Sequence, residues 1–486
     1  MRPHQKPLRL LALLMAACGR AAAAQPASAP APAGFMPLVD KSIGFELQAP
    51  LGWNYDRTGF FGPGGSSGVL RGAAPDGQAT IQVLVFRDES AADFDAWVEY
   101  FGRQLAAVTG VRQVRIEPQR AAARPTAIVD APATIGADRV RTLYHCTRID
   151  SDTVWVLSYS TVVGRGGTLG SDAEPDATAP LELPPGFRQM TSALRVLYEP
   201  AVGAQVREAL ERGRDYINRY QLQEDIREVR IDERSRIYLI RVAGRPVGYL
   251  TRQFRRDTEP LEAARGTARP REGLRVQERI WQFADDGAAR FARIDLFSRL
   301  DGNTDLFEFH ETRYPAAGAT GVRPVLTHDK CVREGDALFS SYVTSLDSVL
   351  PDPRPPIKLD ASYLGLAWAR ALPALLGDGD RPAIAFSIYD SEMRALLPYT
   401  IRPLGRRSLP GGGTEALAFE TREGILPSTS ALYTDEQGHM LRLESGELVI
   451  ELTDETAVEA QFRAKRDEVL RRASSSLPQL QHNSPP

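Results

Sequence analysis

The chain has 486 residues, a formal net charge of −3 at pH 7 and a hydrophobic fraction of 43%. This length is sufficient for two to four domains with buried cores, and the apolar content excludes a wholly disordered chain. The near balance of acidic and basic residues argues against sequence-independent binding to nucleic acid, which needs clustered positive charge. Composition therefore predicts a globular protein without a nucleic-acid partner.

Residues 1–24 have the pattern of a secretory signal peptide. Arg2 and Lys6 precede a short apolar segment at 10–17, and small residues follow at 22–24. An apolar segment this short cannot span a membrane. Its removal takes away four basic and no acidic side chains, so the charge changes from −3 to −7. We expect an exported protein, periplasmic or extracellular, with no transmembrane segment after cleavage.

The same region supports a second interpretation. The segment Met15-Ala16-Ala17-Cys18 resembles the lipobox of bacterial lipoproteins, in which the cysteine is acylated and the chain is cleaved before it. Lipid anchoring through Cys18 is therefore the alternative to free export.

Both ends of the mature chain are poor in bulky apolar residues. Residues 25–39 are rich in Ala and Pro, and residues 473–486 are rich in Ser, Gln and Pro, so both are predicted to be disordered. The two cysteines that remain, Cys146 and Cys331, are expected to be buried free thiols. A disulfide between them is the alternative in an oxidising compartment.

Residues 40–200 have the pattern of an antiparallel α+β domain. A strand at 45–49 is followed by further strands, a helix at 90–105 with apolar residues at helical spacing, and a closing helix at 187–197. The other strands are predicted at residues 69–72, 79–86, 111–117, 127–131, 139–149 and 154–163.

This part of the chain resembles the PsbP-like family, small α+β domains found in photosystem II subunits and in exported bacterial proteins. The resemblance rests on the opening segment Phe45–Trp53, the helix that carries Trp97, and the closing segment Phe187–Leu194. It implies a non-catalytic binding or assembly module, and it carries no catalytic residues to transfer.

Residues 223–472 are predicted to form a large, curved antiparallel sheet, an incomplete barrel, around one apolar helix at Leu364–Leu375. A linker helix is predicted at 201–222. The turns between successive strands are short and no crossover helices occur, which favours an up-and-down arrangement. The strands are predicted at residues 236–242, 247–255, 274–283, 290–300, 305–314, 325–333, 337–344, 383–389, 396–402, 415–422, 428–434, 440–443 and 448–453.

The layout of repeated strands and one helix resembles the periplasmic lipoprotein-carrier fold (LolA-like), an incomplete barrel that holds acyl chains. The resemblance covers about residues 220–460, and its local sequence is the hairpin at Gly244–Tyr249. It rests on architecture and transfers no ligand-binding residue.

Several strands of the second sheet are apolar on both faces. Trp281 and Phe283 point to one face, while Leu274, Val276 and Ile280 point to the other. Such a sheet is either covered on both faces or lines a cavity. The candidate ligand-lining side chains are Trp281, Phe283, Phe291, Phe297, Leu364 and Trp368, with core packing as the alternative role.

No catalytic residue is predicted. The segment Gly64–Gly68 matches the G-x-S-x-G pattern but lacks the strand-to-helix context of a nucleophile elbow. Asp301, Asn303 and Asp305 imitate the start of a calcium loop, but the glycine and glutamate that such a loop requires are missing.

No metal site is predicted either. His145 and Cys146 are adjacent on a strand, so their side chains point to opposite faces and cannot act together. The same holds for His310 and Glu311. His328 and Cys331 form at most half of a metal site, because no second pair of ligands occurs at suitable spacing.

These observations predict an exported, non-enzymatic binding protein of the bacterial cell envelope, without a cofactor. The expected ligand is apolar, a lipid or acyl chain held on the concave face of the second sheet, with the helix at 364–375 as plug or gate; a partner protein is the other possibility. The alternatives are a periplasmic hydrolase with a carboxylate-based site and a structural adapter without a small ligand.

Overall fold

The computed structural model describes residues 34–56, 60–61, 66–107, 111, 113–119, 122–135, 138–165, 181–218, 231–258, 272–299, 305–318, 323–345, 356–379, 381–391 and 393–476. The predicted signal peptide, Cys18, Asp301 and Asn303 lie outside these residues. The chain divides into two compact units, one within residues 27–200 and one containing residues 201–486.

The first unit contains eleven strands and two helices among its described residues. The helices are α1 (Phe94–Ala106) and α2 (Pro185–Ser192). The strands are β1 (Phe35–Asp40), β2 (Phe45–Pro50), β3 (Asn54–Asp56), β4 (Phe60–Phe61), β5 (Ser67–Ala73), β6 (Ala79–Arg87), β7 (Arg115–Pro118), β8 (Thr126–Ile135), β9 (Asp138–Arg148), β10 (Thr153–Arg165) and β11 (Arg195–Val196).

An eight-stranded antiparallel sheet in the order β3-β5-β6-β10-β9-β8-β7, with β4 paired to β5, is the centre of this unit. One face buries α1 through side chains such as Trp97 and Phe101. The other face forms a core with α2 and a three-stranded sheet of order β1-β2-β11, which contributes Phe45 and Leu47. The sheet is therefore covered on both faces.

Several details of this unit differ from the sequence prediction: β3 and β4 were not predicted, and the helix predicted at 90–105 begins at Phe94. Residues 35–39 were predicted to be disordered but belong to β1, because Leu38 is buried opposite Leu47 of β2. The helix predicted at 187–197 ends at Ser192, because the chain then forms β11 and pairs with β2.

The second unit contains α3 (Pro200–Asn218), α4 (Leu366–Leu376) and α5 (Glu455–Ser476). Helix α5 extends into the segment from residue 473 that was predicted to be disordered. Its strands are β12 (Arg236–Val242), β13 (Arg245–Thr258), β14 (Glu272–Phe283), β15 (Ala289–Arg299), β16 (Asp305–Tyr314), β17 (Val325–Glu334), β18 (Ala337–Thr344), β19 (Ile357–Lys358), β20 (Ile384–Asp390), β21 (Ala395–Ser408), β22 (Glu415–Glu423), β23 (Ser430–Thr434), β24 (Met440–Ser445) and β25 (Leu448–Thr453).

These strands form one curved, fourteen-stranded antiparallel sheet of order β19-β18-β17-β16-β15-β14-β13-β12-β25-β24-β23-β22-β21-β20, which is not closed. Neighbours in this order follow one another in the sequence, except that β12 pairs with β25, placing Ile237 opposite Thr453. The predicted antiparallel arrangement is confirmed. No described helix is long and apolar enough to span a membrane.

The segment between β19 and α4 occupies the free edge of β20. The backbone N–H of Ser387 donates to the carbonyl of Ser362, and the N–H of Leu364 donates to the carbonyl of Ser387, both at 3.0 Å. The Ser387 hydroxyl also donates to the Asp360 carboxylate at 2.6 Å. These bonds satisfy backbone groups that an open sheet edge would leave exposed.

Helix α4 packs in the core on the inner face of the sheet. Its apolar residues share one cluster with side chains from strands along most of the sheet, from β12 to β18 and from β20 to β25. Trp368 is fully buried, and its indole N–H donates to the carbonyl of Arg299 at 3.0 Å. At the start of the helix, a Cβ on Gly365 would collide with the Asp305 carboxylate and the Ser298 hydroxyl. The predicted apolar helix is therefore enclosed by the sheet.

Helix α3, predicted as part of a linker, packs against β20. A Cβ on Gly213 would collide with the carbonyl oxygen of Ala385, so the helix backbone lies directly on the strand. Tyr216 and Phe386 make an edge contact, with ring centroids 6.2 Å apart.

Helix α5 covers the outer face around β12 to β15. Val458, Phe462 and Val469 are its buried apolar residues in the cluster that also contains Trp281 and Phe283. The rings of Phe462 and Phe283 stack with centroids 5.4 Å apart. The strands that are apolar on both faces are therefore covered by α4 on one side and by α5 on the other.

We expect Phe462→Ala to lower the free energy of unfolding by about 3–5 kcal/mol, because it removes a buried aromatic side chain and leaves a cavity under α5. Urea denaturation of the full chain measures this loss. Gln461→Ala, an exposed neighbour on the same helix, is the matched control and should change stability by less than about 0.5 kcal/mol. Equal stability of Phe462→Ala and the wild type would show that α5 is not docked on the sheet.

Candidate functional site

The six candidate ligand-lining side chains are divided between the two faces of the second sheet. Trp281, Phe283 and Phe291 lie with α5 on the outer face. Leu364 and Trp368 lie in the core around α4 on the inner face. These side chains therefore do not line one common cavity, and their role in ligand binding stays a prediction.

The sixth candidate, Phe297, is buried on β15. A Cβ on Gly273, on the neighbouring strand, would collide with the Phe297 ring. The ring thus occupies the space that a side chain at position 273 would take, which is a packing role.

A small cavity lies between α4 and the inner face of the sheet. Its volume is about 30 Å³, which is enough for one or two water molecules. A second cavity of about 20 Å³ shares Phe254, Arg370 and Gly438 with it. The apolar walls of the larger cavity include Leu250, Phe254, Tyr399, Leu432, Met440 and Ile450.

Two guanidinium groups line this cavity and share one buried carboxylate. Arg252 of β13 donates through Nε to Glu278 Oε1 at 2.6 Å, and Nε of Arg370, on α4, lies 3.5 Å from the same oxygen. Burial by itself raises the pKa of Glu278, but the charges of Arg252 and Arg370 and the Arg252 hydrogen bond outweigh it. The pKa of this carboxyl is therefore held below its ordinary value.

The charge of this group is suited to an anion. The three side chains carry two guanidiniums and one carboxylate, and apolar residues such as Leu250 and Leu432 lie beside them in the lining of the cavity. Guanidinium groups bind carboxylates and phosphates through paired hydrogen bonds. The arrangement can therefore hold an anionic head group whose apolar body lies against the sheet.

The turn between β23 and β24 lies over the C-terminal half of α4. A Cβ on Gly438 would collide with Ala374, which shows how closely the turn approaches the helix. Arg236 anchors this turn through Asp435 at 3.1 Å, and its guanidinium lies 3.1 Å from Nδ1 of the buried His439. This turn, which an ion pair holds in place, contributes Gly438 to the lining of the cavity.

Buried carboxylates also occur near the edge strands, where a hydrolase site would be sought. Burial raises the pKa of Asp305, and the Tyr389 hydroxyl donates to Asp329 at 3.3 Å. Both carboxylates are buried and border neither of the two cavities described above. The hydrolase alternative stays a prediction.

Cys146, Cys331 and His145 are largely buried, and burial shifts the pKa of each of them. Cys146 and Cys331 are both buried free thiols, and burial raises the pKa of each. Burial also lowers the pKa of His145 to about 4. A neutral imidazole is therefore expected at this position.

Two histidines that the sequence separates by seventeen residues meet on the outer face. His310 of β16 is directly opposite His328 of β17, and their rings stack with centroids 4.2 Å apart. Cys331 belongs to the inner core, so it does not share a site with His328. The sequence analysis missed the histidine pair, because only the register between β16 and β17 reveals it.

We expect Glu278→Gln to lower the free energy of unfolding at pH 7 by about 3–5 kcal/mol, because it leaves two largely buried guanidiniums without their carboxylate. The stabilisation from this carboxylate is present above about pH 4.5, the ordinary pKa of glutamate, and is lost as pH falls through the lower folded-state pKa. The difference between wild type and variant should therefore shrink in acid.

Urea denaturation between pH 3 and pH 8 measures this difference. Glu420→Gln is the matched control, because Glu420 pairs with Arg402 at 3.1 Å in a more exposed position and should contribute no more than about 1 kcal/mol. A Glu278→Gln variant as stable as the wild type at pH 7 would contradict the assigned interaction.

No family model and no curated protein sequence matches this chain. Among solved structures, one similar chain is a beta-barrel-like protein of the domain of unknown function DUF1849 from Brucella abortus. The similarity covers 46% of this chain and 98% of that chain, with 10% sequence identity and a TM-score of 0.33. This similarity is too low to assign a family or a function, and the resemblances to the PsbP-like and LolA-like families stay predictions.

Proposed function

We propose that this protein is an exported, non-enzymatic binding protein for an amphipathic ligand that combines an acyl chain, or a similar apolar body, with an anionic head group. The observation that carries the proposal is the group of Arg252, Glu278 and Arg370 at the small cavity on the inner face, whose lining also includes apolar side chains. In this proposal the head group binds the guanidiniums, and the apolar body packs against the walls of the sheet.

The energetics of the two contacts complement each other. Each buried methylene of an acyl chain contributes about 0.8 kcal/mol. A hydrogen bond to a charged group contributes about 1.5–3 kcal/mol. The apolar walls thus supply affinity, and the guanidiniums distinguish an anionic ligand from a neutral one of the same length.

Ligand entry in this proposal requires α4 to move. The cavity of about 30 Å³ is roughly a tenth of the smallest ordinary ligand pocket, which has about 300 Å³. Pro373 lies within α4 and removes one of its backbone hydrogen bonds, and Gly365 and Gly377 flank the helix. Displacement of α4 by the apolar body would enlarge the cavity, as expected for a plug.

The proposed location follows from the sequence. Export is proposed from the pattern of residues 1–24, which lie outside the described part of the chain, with lipid anchoring through Cys18 as the alternative. An envelope location would give the protein access to lipids and their fatty acids.

A partner protein is the second candidate, because an apolar group is exposed on the outer face of β17 and β18. Leu326, Phe339 and Val343 are exposed by 54%, 45% and 42%, and the strand register places them on the same face. Exposed apolar groups of this kind mark interaction surfaces. A structural adapter would use this surface and no small ligand.

Native mass spectrometry of the full chain, purified gently from its host, tests the proposal. We expect an acidic lipid or fatty acid bound to the protein. Recovery of an empty chain that also fails to bind palmitate would overturn the proposal, and recovery of a bound protein without lipid would favour the adapter.

A titration with palmitate and with hexadecanol, its uncharged counterpart, tests the role of the guanidiniums. We expect wild type to bind palmitate at least about tenfold more tightly than hexadecanol, and Arg370→Gln to lose this preference. Arg370 is a better position for this substitution than Arg252, because Glu278 keeps its hydrogen bond to Arg252 when Arg370 is replaced. Arg402→Gln, on the solvent-exposed pair with Glu420, is the control and should leave the preference unchanged.

A further inference from the structure

The strand register brings three metal-ligating side chains together on the outer face of β16 and β17. His310 is directly opposite His328, and Glu308 lies two residues before His310, so it points to the same face. None of the three contributes to the cavity on the inner face. The group is therefore separate from the proposed ligand site.

The distances within this group match those of a metal site. Glu308 Oε1 lies 3.2 Å from Nε2 of His328 and 3.4 Å from Nε2 of His310. One ligand atom from each residue can be chosen so that all three lie within 4.8 Å of one another. Ligands at about 2.0–2.2 Å from a tetrahedral zinc ion are about 3.3–3.5 Å apart. The two carboxylate–imidazole distances are therefore already close to those of a coordinated ion.

We propose that His310, His328 and Glu308 bind a divalent transition-metal ion of the zinc type. Two imidazole nitrogens and one carboxylate oxygen suit zinc, copper or nickel, whereas calcium and magnesium take oxygen ligands. Three protein ligands leave a fourth position of the tetrahedron for water or for an external ligand.

The site is both accessible and held by a regular framework. The side chains of His310, His328 and Glu308 are exposed by 50%, 39% and 31%, so an ion can reach them from solvent. Strands β16 and β17 are themselves paired with β15 and β18, which fixes the spacing of the ligands. The two imidazole rings stack in nearly parallel planes, so binding requires them to turn until both nitrogens point at one ion.

Nearby positive charges set a limit on the affinity. Lys330 is opposite Glu308, and Arg293 of β15 is opposite His310. The Arg293 guanidinium is half exposed and lies 4.0 Å from Asp295, which offsets part of its charge. A bound metal ion would therefore be attracted by the Glu308 carboxylate and repelled by Lys330 and Arg293, and this repulsion is weakened when the two side chains turn toward solvent.

Calorimetric titration of the untagged full chain with Zn²⁺, after treatment with a chelator, tests the site. We expect one ion to bind per chain, and Co²⁺ in its place to give the visible absorption of a tetrahedral complex. His328→Gln and Glu308→Gln should each weaken Zn²⁺ binding by more than about tenfold, the loss that even substitutions outside the ligand shell cause. Glu334→Gln, an exposed carboxylate elsewhere on β17, is the matched control and should bind as the wild type does.

Absence of Zn²⁺, Co²⁺ and Ni²⁺ binding by the wild type would overturn the proposal. Unchanged affinity in a His310→Gln, His328→Gln double variant would overturn it as well, because the ion would then be bound elsewhere. Urea denaturation of each variant without metal establishes that it is folded, and palmitate binding should be unaffected by all of them. Failure of the metal site and failure of the proposed lipid site are thus separate results.

Discussion

Burial of the inner face of the fourteen-stranded sheet, and of its outer face around β12 to β15, is the constraint on which the second unit depends. An apolar helix, α4, fills the inner side and is buried around most of its circumference. Helix α5 covers part of the outer side with only a few apolar residues, because its other face meets water. The two helices therefore differ in composition for one reason: the first is enclosed by the sheet and the second lies on it.

The charged group inside this core needs an explanation beyond stability. Removing ionised groups from water costs several kcal/mol for each ion, and replacing such a group with well-packed apolar side chains is often neutral or stabilising. Arg252, Glu278 and Arg370 nevertheless lie beside a cavity in a core that consists mainly of apolar side chains. In the function proposed above, these groups recognise the anionic head group of a ligand.

Much of the fold could be predicted from the sequence because alternation of apolar and polar residues is a local signal. Thirteen of the fourteen described strands of the second sheet, and the enclosed helix α4, overlap their predicted positions, although β21 runs six residues further than predicted and the short strand β19 was not predicted. The docking of α5 was not predicted, because Val458, Phe462 and Val469 are spread through a highly charged segment. Strand β11 was missed because its two residues are specified by pairing with β2, not by their own pattern.

The candidate sites were harder to predict because they depend on register. A shift of one residue between β16 and β17 would place His310 and His328 on opposite faces. The proximity of Arg370 to Glu278 likewise depends on how α4 is seated within the sheet. The spacing of residues along the chain reveals neither the contact between His310 and His328 nor the contact between Arg370 and Glu278.

The pairing of β12 with β25, the one ladder between described strands of the second sheet that are distant in sequence, has a consequence for folding. Every other ladder of the second sheet joins consecutive strands, so the meanders β12 to β19 and β20 to β25 can each form from local contacts. The ladder between β12 and β25 joins residues more than two hundred positions apart and must close the largest loop of the unit. Because closing that loop costs the most entropy, we expect the union of the two meanders to form late in folding. The pairing also places the first and the last strand of the sheet side by side at its centre.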